Sequence, residues 1–185
     1  MNFTDDQLTQ DDFLGGLIRI WQPKVGYRAA TDPVFLAASV SAKPGQKVLE
    51  LGCGAGTALS CLCRRVRRLD AFGLEIQANY AELARRNAAD NSLEYSVFTG
   101  DLLDMPDPIR TAAFDHVFTN PPFYDVSASS APKDRSPSPN SGRANKISSA
   151  FKFDLSRSLN RLKSPSVKSV LSISNPICSS KMQQS

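Results

Sequence analysis

The sequence is poor in the residues that build metal centres, disulfide frameworks and membrane spans. His116 is the only histidine in 185 residues, so a zinc site would lack its usual ligands and we predict no metal. The cysteines show neither CxxC spacing nor a disulfide pattern (Cys53, Cys61, Cys63 and Cys178). No apolar run reaches about 18 residues, and the acidic N-terminus MNFTDDQLTQDDF does not resemble a signal peptide. These absences predict a cytoplasmic protein with reduced thiols and no membrane partner.

Charge is distributed unevenly along the chain. Residues 1–126 carry 12 lysines and arginines against 16 acidic residues, whereas residues 127–185 carry 10 against 2. The second segment also holds 18 serines in 59 residues. We therefore predict one domain over residues 1–126, consisting of an N-terminal cap segment (1–43) and a core (44–126). Residues 127–185 are predicted to be a basic, serine-rich tail that is disordered or translated out of frame.

Apolar periodicity within residues 1–126 predicts alternating strands and helices. A strand or hairpin arm is predicted over residues 14–20, and Asp32-Pro33 predicts a helix start because proline suits the first helical turn. Strands are then predicted in KVLELGC (47–53), DAFGLEI (70–76), LEYSVFTGDLLD and FDHVFTN. TALSCLCRRVRRL and NYAELARRNAADN have helical spacing between them. The alternation predicts an α/β fold, in which helices cover both faces of a parallel sheet.

The tail offers few elements that could extend this sheet. FKFDLSRSLNRLK favours a marginal helix and SVKSVLSISNPI a strand. We therefore expect a sheet that is incomplete at its C-terminal side. The fourth core strand would lack a full set of neighbours, which predicts low stability.

Glycine or a polar side chain follows each of the four core strands. The positions are Gly52–Gly56, Glu75, Asp101 and Asn120. Because right-handed crossovers bring the carboxyl ends of parallel strands to one edge, we expect these residues to form a ligand site there.

The first of these positions is a glycine-rich loop, LELGCGAGT (49–57). Glycines at 52, 54 and 56 permit a tight strand-to-helix turn and a close approach of the backbone to a ligand. The G-x-G-x-G spacing differs from the G-x-G-x-x-G of dinucleotide-binding loops, which makes an NAD dehydrogenase the weaker interpretation. A tight turn with no ligand is the structural alternative.

Two acidic residues follow the next strands. Glu75 lies 19 residues beyond Gly56, where a carboxylate can bind both hydroxyls of a ribose. Asp101 could accept from an adenine amino group while Leu102 covers the ring. The alternatives are an exposed glutamate at 75 and a helix N-cap at 101.

Asn120-Pro121-Pro122-Phe123 follows the fourth strand and favours chemistry on a nitrogen atom. An exocyclic amine is a poor nucleophile, and acceptors at Asn120 and the Pro121 carbonyl would shift electron density onto it. The prolines fix the backbone direction at little entropic cost, and Phe123 or Tyr124 could stack on a planar substrate. A proline-rich strand exit is the structural alternative.

Together these motifs resemble the class I S-adenosylmethionine-dependent methyltransferases. The likeness covers roughly residues 12–126, and NPPF resembles the element of enzymes that methylate an exocyclic or amide nitrogen. The upstream segment IWQPKVGYRAATDPVFLAASV is similar to the small-domain group, which includes bacterial adenine-N6 methyltransferases of valine tRNA.

The resemblance implies a Rossmann-like fold and S-adenosylmethionine as cofactor. It also implies one set of residues that binds the cofactor and another that binds the substrate. The implied cofactor-binding residues are Tyr27, Asp32, Glu50, Gly52, Cys53, Gly54, Gly56, Glu75, Asp101, Leu102 and Asn120. The implied catalytic residues are Asn120, Pro121, Pro122 and Phe123, and Phe123 and Tyr124 are the implied stacking residues.

We expect a monomeric N-methyltransferase that acts on adenine N6 of tRNA or on another nucleic acid. Lys24 and Arg28 could meet phosphate, with surface loop positions as the alternative. The run RRVRR (64–68) could also offer cations to RNA phosphates, but a solvated helix face is the favoured interpretation. A protein glutamine N5 methyltransferase is the alternative with the same chemistry. A truncated or frameshifted product without activity is the alternative from another class.

Overall fold

A five-stranded parallel sheet and an antiparallel hairpin form the framework. The computed structural model describes residues 2–120 and the backbone of residues 169–172. The strands are β1 (Leu8–Phe13), β2 (Ile18–Pro23), β3 (Lys47–Leu51), β4 (Asp70–Glu75), β5 (Ser96–Thr99), β6 (His116–Thr119) and β7 (Ser169–Ser172). The helices are α1 (Asp32–Ser39), α2 (Thr57–Arg65), α3 (Ala78–Asp90) and α4 (Asp107–Arg110), and a 3-10 turn at Asp5–Gln7 precedes β1.

The sheet order is β5-β4-β3-β6-β7, and every pair in it is parallel. Side chains alternate across it, as the strand period requires. Val48 and Phe118 belong to a core shared with α1, α2, α3 and the hairpin, whereas Leu49 and Val117 belong to a second core with Ile109 of α4. The predicted parallel sheet with helices on both faces is confirmed.

The N-terminal hairpin differs from the predicted strand over residues 14–20. Residues 14–17 are its turn, where Leu14, Gly15 and Gly16 have φ of +54°, +66° and +83°. The predicted strand runs through two adjacent glycines, Gly15 and Gly16, that adopt the left-handed conformation and end it. The first arm, β1, lies instead in the acidic segment before the turn.

Two asparagines on α3 hold the hairpin against the domain. The Asn87 amide accepts from the Trp21 N–H at 2.8 Å and donates to the Trp21 carbonyl at 3.1 Å. One turn later, Asn91 accepts from the Arg19 N–H at 2.8 Å and donates to its carbonyl at 2.7 Å. Each amide thus reproduces the pairing of a neighbouring strand, and β2 is held by β1 on one edge and by α3 on the other.

Strand β7 corrects one expectation about the sheet. Residues 169–172 pair in parallel with β6, so β6 has a neighbour on each side. The strand predicted in SVKSVLSISNPI is confirmed over these four residues, and the expectation that the fourth core strand lacks a neighbour is wrong. The valine-leucine pair between serines gives this segment enough β-propensity to complete a ladder. The predicted helix in FKFDLSRSLNRLK lies outside the described residues.

None of the helices among residues 2–120 has the length and apolar content needed to cross a bilayer. In the same part of the chain, no cluster of three or more histidine, cysteine or acidic side chains could hold a metal ion.

Candidate methyl-donor site

The carboxyl ends of four strands meet at one edge of the sheet. Leu51 of β3 pairs with Leu74 of β4 and with Thr119 of β6, and Glu75 pairs with Thr99 of β5. The residues that follow these strands therefore lie side by side, as the sequence predicts.

The glycine-rich loop (52–56) follows β3 at this edge, and its conformation depends on three glycines with positive φ. Gly52, Gly54 and Gly56 have φ of +68°, +54° and +77°. At Gly56 a Cβ would lie 2.7 Å from the Tyr95 hydroxyl oxygen and 3.1 Å from the Ala84 Cβ. The loop consequently needs glycine at this position for conformation and for space.

Glu75 is buried, with 5% of its surface exposed, so the alternative of an exposed glutamate is wrong. Its Oε2 accepts from the Gly54 N–H and its Oε1 from the Gln77 N–H, both at 2.8 Å. Burial raises the pKa of Glu75, and the backbone hydrogen bonds oppose this shift. A carboxylate has about four lone-pair sites, so Glu75 retains capacity for a hydroxyl donor of a ligand beside these backbone N–H groups.

Glu50 of β3 supplies a second buried carboxylate, which is 3% exposed and lies beside the first turn of α2. Its Oε2 accepts from the Leu59 N–H at 3.0 Å, an unpaired donor of the first helical turn. This contact replaces a local cap, because the N-cap residue, Gly56, has no side chain. Burial raises the pKa of Glu50 well above its usual range, although the Leu59 N–H favours the charged form.

Tyr27 covers the glycine-rich loop. Its ring lies against Gly54, where a Cβ would be 3.8 Å from the Tyr27 Cε1 atom. The Tyr80 hydroxyl donates to the Tyr27 carbonyl at 3.2 Å, and the Asn120 Nδ2 donates to the Tyr27 hydroxyl at 3.4 Å. Desolvation raises the pKa of Tyr27, and the charges of Glu50 and Asp32 add to that shift.

Asn120 has one unsatisfied group. Its Oδ1 atom is buried and has no hydrogen-bond partner among the described residues. Such an acceptor costs about 1–3 kcal/mol when left unpaired. The geometry therefore favours a ligand that donates an N–H or O–H group to Asn120.

A cavity of about 20 Å³ lies between these residues. Five predicted residues line it, namely Tyr27, Glu50, Gly52, Cys53 and Asn120. The other lining residues are not indicated by any of the sequence motifs, and they are Gln22, Ala29, Pro33, Ala55, Thr57 and Ala58. Gln22 comes from the hairpin, and no spacing rule connects it with a loop 30 residues away.

Several predicted site residues lie away from the cavity lining. Asp32 is exposed at the first residue of α1. Asp101 is also exposed, and its Oδ1 accepts from the Leu103 N–H at 2.9 Å. Residues 101–104 form a turn and not a helix, so the structural alternative of a helix N-cap is wrong. Leu102 packs against the second core. Pro121, Pro122, Phe123 and Tyr124 lie outside the described residues.

The Cys53 thiol has a packing role. It lies so close to Gly73 that a Cβ there would be 2.8 Å from the sulfur. Burial raises the pKa of the Cys53 thiol well above its usual range. Only the backbone of Cys53 is therefore suited to contact a polar ligand.

The arginines predicted for phosphate contacts are used largely within the fold. Arg64 donates to the Leu17 carbonyl and Arg65 to the carbonyls of Ala37 and Val40. Arg28 donates to Thr9, Pro23 and Asp11. Arg67 and Arg68 are exposed but lie beyond the end of α2, so neither forms part of the solvated helix face expected for this run.

A parallel sheet with a glycine-rich loop after its central strand and acidic residues at its edge defines a Rossmann-like nucleotide-binding domain. The sequence profile of the methyltransferase small domain matches residues 30–132. The chain belongs to that family, within the class I S-adenosylmethionine-dependent methyltransferases. The cofactor prediction is thereby confirmed for the family.

Relatives of this chain have several different substrates. The ribosomal RNA small subunit methyltransferase C of Haemophilus influenzae is 33% identical over 51% of this chain and 28% of its own length. The tRNA1(Val) (adenine(37)-N6)-methyltransferase of Porphyromonas gingivalis is 34% identical over 52% of this chain and 41% of its own. The ribosomal protein L11 methyltransferase of Cupriavidus necator is 35% identical over 42% and 24%. The chain thus spans less than half of each relative.

The fold also matches solved methyltransferases. The Pyrococcus abyssi tRNA (uracil-54, C5)-methyltransferase, solved in complex with S-adenosyl-L-homocysteine, superposes with a TM-score of 0.50. Its sequence is 21% identical, and the match covers 63% of this chain and 28% of that one. At this identity the likeness supports the fold alone.

Proposed function

We propose that this chain methylates a nitrogen of a nucleic-acid base, and that the target is adenine N6 in a tRNA loop. The observation that carries the proposal is the buried amide oxygen of Asn120, which lacks a partner among the described residues. An exocyclic amine brings two N–H donors, so it is a substrate that can satisfy this acceptor. An unpaired loop base reaches such a site without melting a duplex.

The donor set suits a cationic nucleoside such as S-adenosylmethionine. Glu50 and Glu75 supply buried carboxylates for ammonium and hydroxyl groups, and the glycine-rich loop lets a ligand approach its backbone. Tyr27 would cover the bound cofactor. When bound, S-adenosylmethionine supplies an electrophilic methyl group.

Asn120 would orient and activate the amine. By accepting an N–H bond it shifts electron density onto the amine nitrogen and directs the lone pair into the site. Positioning supplies much of the rate in such a transfer. This role needs no strong general base at the strand ends.

Exchanging Asn120 tests this division of roles. We expect Asn120→Ala to bind S-adenosylhomocysteine within about threefold of the wild-type affinity and to transfer methyl groups at least about 100-fold more slowly, because a preorganised hydrogen-bonding group is worth that much in other enzymes. Calorimetry measures the binding, and label transfer measures the rate. An unchanged rate would exclude Asn120 from the chemistry.

A second experiment identifies the substrate. The protein is incubated with labelled S-adenosylmethionine and, separately, with total tRNA, ribosomal RNA, and ribosomal and release-factor proteins. We expect label in tRNA, as N6-methyladenine. Label in ribosomal RNA alone would correct the target, and label in protein alone would favour the protein-methyltransferase alternative. The likeness to the ribosomal protein L11 methyltransferase supports a protein substrate, without indicating which side chain. Donor binding without transfer to any substrate would favour the inactive alternative.

The proposal extends to a monomer that acts in the cytoplasm. Size-exclusion chromatography with light scattering of the full chain tests the first part, for which a dimer mass is the contrary result. Fractionation of cells tests the second.

A further inference from the structure

The cavity at the candidate site is much smaller than the ligand proposed for it. It measures about 20 Å³, whereas sites for ligands of drug size measure about 300–1,000 Å³. The Asn120 oxygen, which the substrate would have to reach, is buried in the same arrangement. Tyr27, Ala29 and Pro33 form one wall of this cavity, so displacement of the segment that carries Tyr27 would enlarge it.

The hairpin holds this segment at the two residues after Tyr27. The buried Gln22 side chain binds both backbone groups of Ala29, accepting from its N–H at 2.6 Å and donating to its carbonyl at 3.3 Å. Gln22 is 2% exposed, so these contacts are shielded from solvent.

Asp11 of β1 connects this contact with an ion pair. Its Oδ2 accepts from Gln22 Nε2 at 2.8 Å and from Arg28 at 2.6 Å. Arg28 also donates to the Thr9 hydroxyl at 2.7 Å and to the Pro23 carbonyl at 2.9 Å. This one oxygen of Asp11 therefore holds two side chains, that of Arg28 and that of Gln22, which binds the Ala29 backbone.

We infer that Asp11, Gln22 and Arg28 form a latch that positions Tyr27 over the methyl-donor cavity and sets the rates at which the donor enters and leaves. All three lie before residue 30, where the match to the family begins. The inference rests on the proposed function, because it assigns the cavity to the donor. Asp11 and Arg28 are positioning residues, since they act on the ligand through Tyr27. Gln22 also positions Tyr27, and it lines the cavity itself.

The strand offers a matched control for the latch. Asp12, the next residue of β1, forms an exposed pair with Arg19 at 3.5 Å and does not line the cavity. Asp11→Ala and Asp12→Ala therefore remove the same side chain from adjacent positions of β1. Arg28→Gln removes the same ion pair by changing the arginine instead of the aspartate. It replaces Asp11→Ala as the test variant if Asp11→Ala fails to fold.

Stopped-flow mixing with S-adenosylhomocysteine measures both rates. The single tryptophan, Trp21, precedes Gln22 and provides the fluorescence signal. We expect Asp11→Ala and Arg28→Gln to raise the association and dissociation rate constants at least threefold, and Asp12→Ala to leave both within twofold of wild type. Loss of thermal stability with unchanged rates would reduce the cluster to an ordinary structural contact and overturn the inference.

Hydrogen exchange without ligand separates this inference from the proposed function. The Ala29 N–H donates a hydrogen bond to the Gln22 side chain. Its hydrogen should exchange at least threefold faster in Asp11→Ala than in Asp12→Ala. If the wild-type chain binds no S-adenosylhomocysteine, the proposed donor is wrong and the latch is judged by this exchange alone. Equal exchange in the two variants would overturn the latch whatever the ligand.

Discussion

At the scale of single residues, the site combines buried carboxylates with a glycine, Gly56, that has no room for a side chain. Glu50 and Glu75 are both almost fully buried, so each carries a desolvation cost in the absence of a cation. The sequence motifs predict the positions of these residues well. They do not predict burial or partners, because those depend on which segments the fold brings over them.

Glu50→Gln tests the cost of the buried charge. Burial raises the folded-state pKa of Glu50, so its stabilising contribution is complete below the pKa of the unfolded chain, about pH 4.3, and is lost as the pH rises through the folded-state pKa. Glutamine is neutral and keeps an acceptor for the Leu59 N–H. We expect the variant to gain about 2–4 °C in Tm at pH 8 and to gain little near pH 4.

Calorimetry between pH 4 and pH 8 measures this difference. Glu94→Gln, at an exposed position, serves as the control and should show no comparable increase with pH. A Tm gain of Glu50→Gln that is constant across the range would show that packing, and not charge, causes it.

Gly56→Ala tests the crowding of the loop. Gly56 and Gly45 both have left-handed φ, +77° and +85°, but a Cβ at Gly45 would meet nothing within 4 Å. Both alanine variants should lose about 1–2 kcal/mol to backbone strain. Gly56→Ala should lose a further amount of about 1–3 kcal/mol, because its Cβ would overlap Tyr95 and Ala84. Equal losses in urea unfolding would contradict the crowding.

At the scale of elements, the docked hairpin is the part that the sequence predicts least. Apolar periodicity places β3 to β6 and α1 to α3 within a few residues of their observed bounds, since a buried face imposes that pattern. The sequence does not predict the four-residue helix α4, because it is too short to show a period. The hairpin depends instead on Asn87 and Asn91, which replace a neighbouring strand by side-chain amides. Polar residues in a helix have many uses, so nothing in the sequence singles out this one.

Asn87→Ala tests the docking of the hairpin. The amide contacts both backbone groups of Trp21 and donates to the Ala55 carbonyl at 2.9 Å, and Asn87 is fully buried. Its loss leaves these groups unpaired, so we expect a loss of about 2–4 kcal/mol in the free energy of unfolding. Asn91→Ala, nearer to solvent, should cost less. Urea unfolding followed by Trp21 fluorescence measures both, and equal losses would contradict the central role of Asn87.

At the scale of the whole molecule, the sheet draws its edge strand from the serine-rich segment. The composition of residues 127–185 indicates disorder, yet four of these residues pair with β6. Composition averages over a segment, whereas a strand needs only a few residues of adequate β-propensity beside an unpaired edge. The boundary predicted at residue 126 stays a prediction, because residues 121–168 lie outside the described part of the chain.

Removing residues 169–185 tests the role of β7. The truncation leaves one edge of β6 unpaired while its side chains Val117 and Phe118 stay in the core. We expect a lower Tm and at least tenfold faster exchange of the β6 amides that pair with β7. Removing only residues 173–185, beyond the strand, is the control and should leave both unchanged. Equal behaviour of the two truncations would contradict the pairing.

The asparagine contacts between α3 and the hairpin also set an order of events during synthesis. The hairpin is translated first, but its partners Asn87 and Asn91 follow Trp21 and Arg19 by 66 and 72 residues. At about 5–20 residues per second, the hairpin waits roughly 3–14 s for them. The hairpin therefore cannot attach to α3 until that helix has been made, whereas β5, β6 and β7 are translated later still.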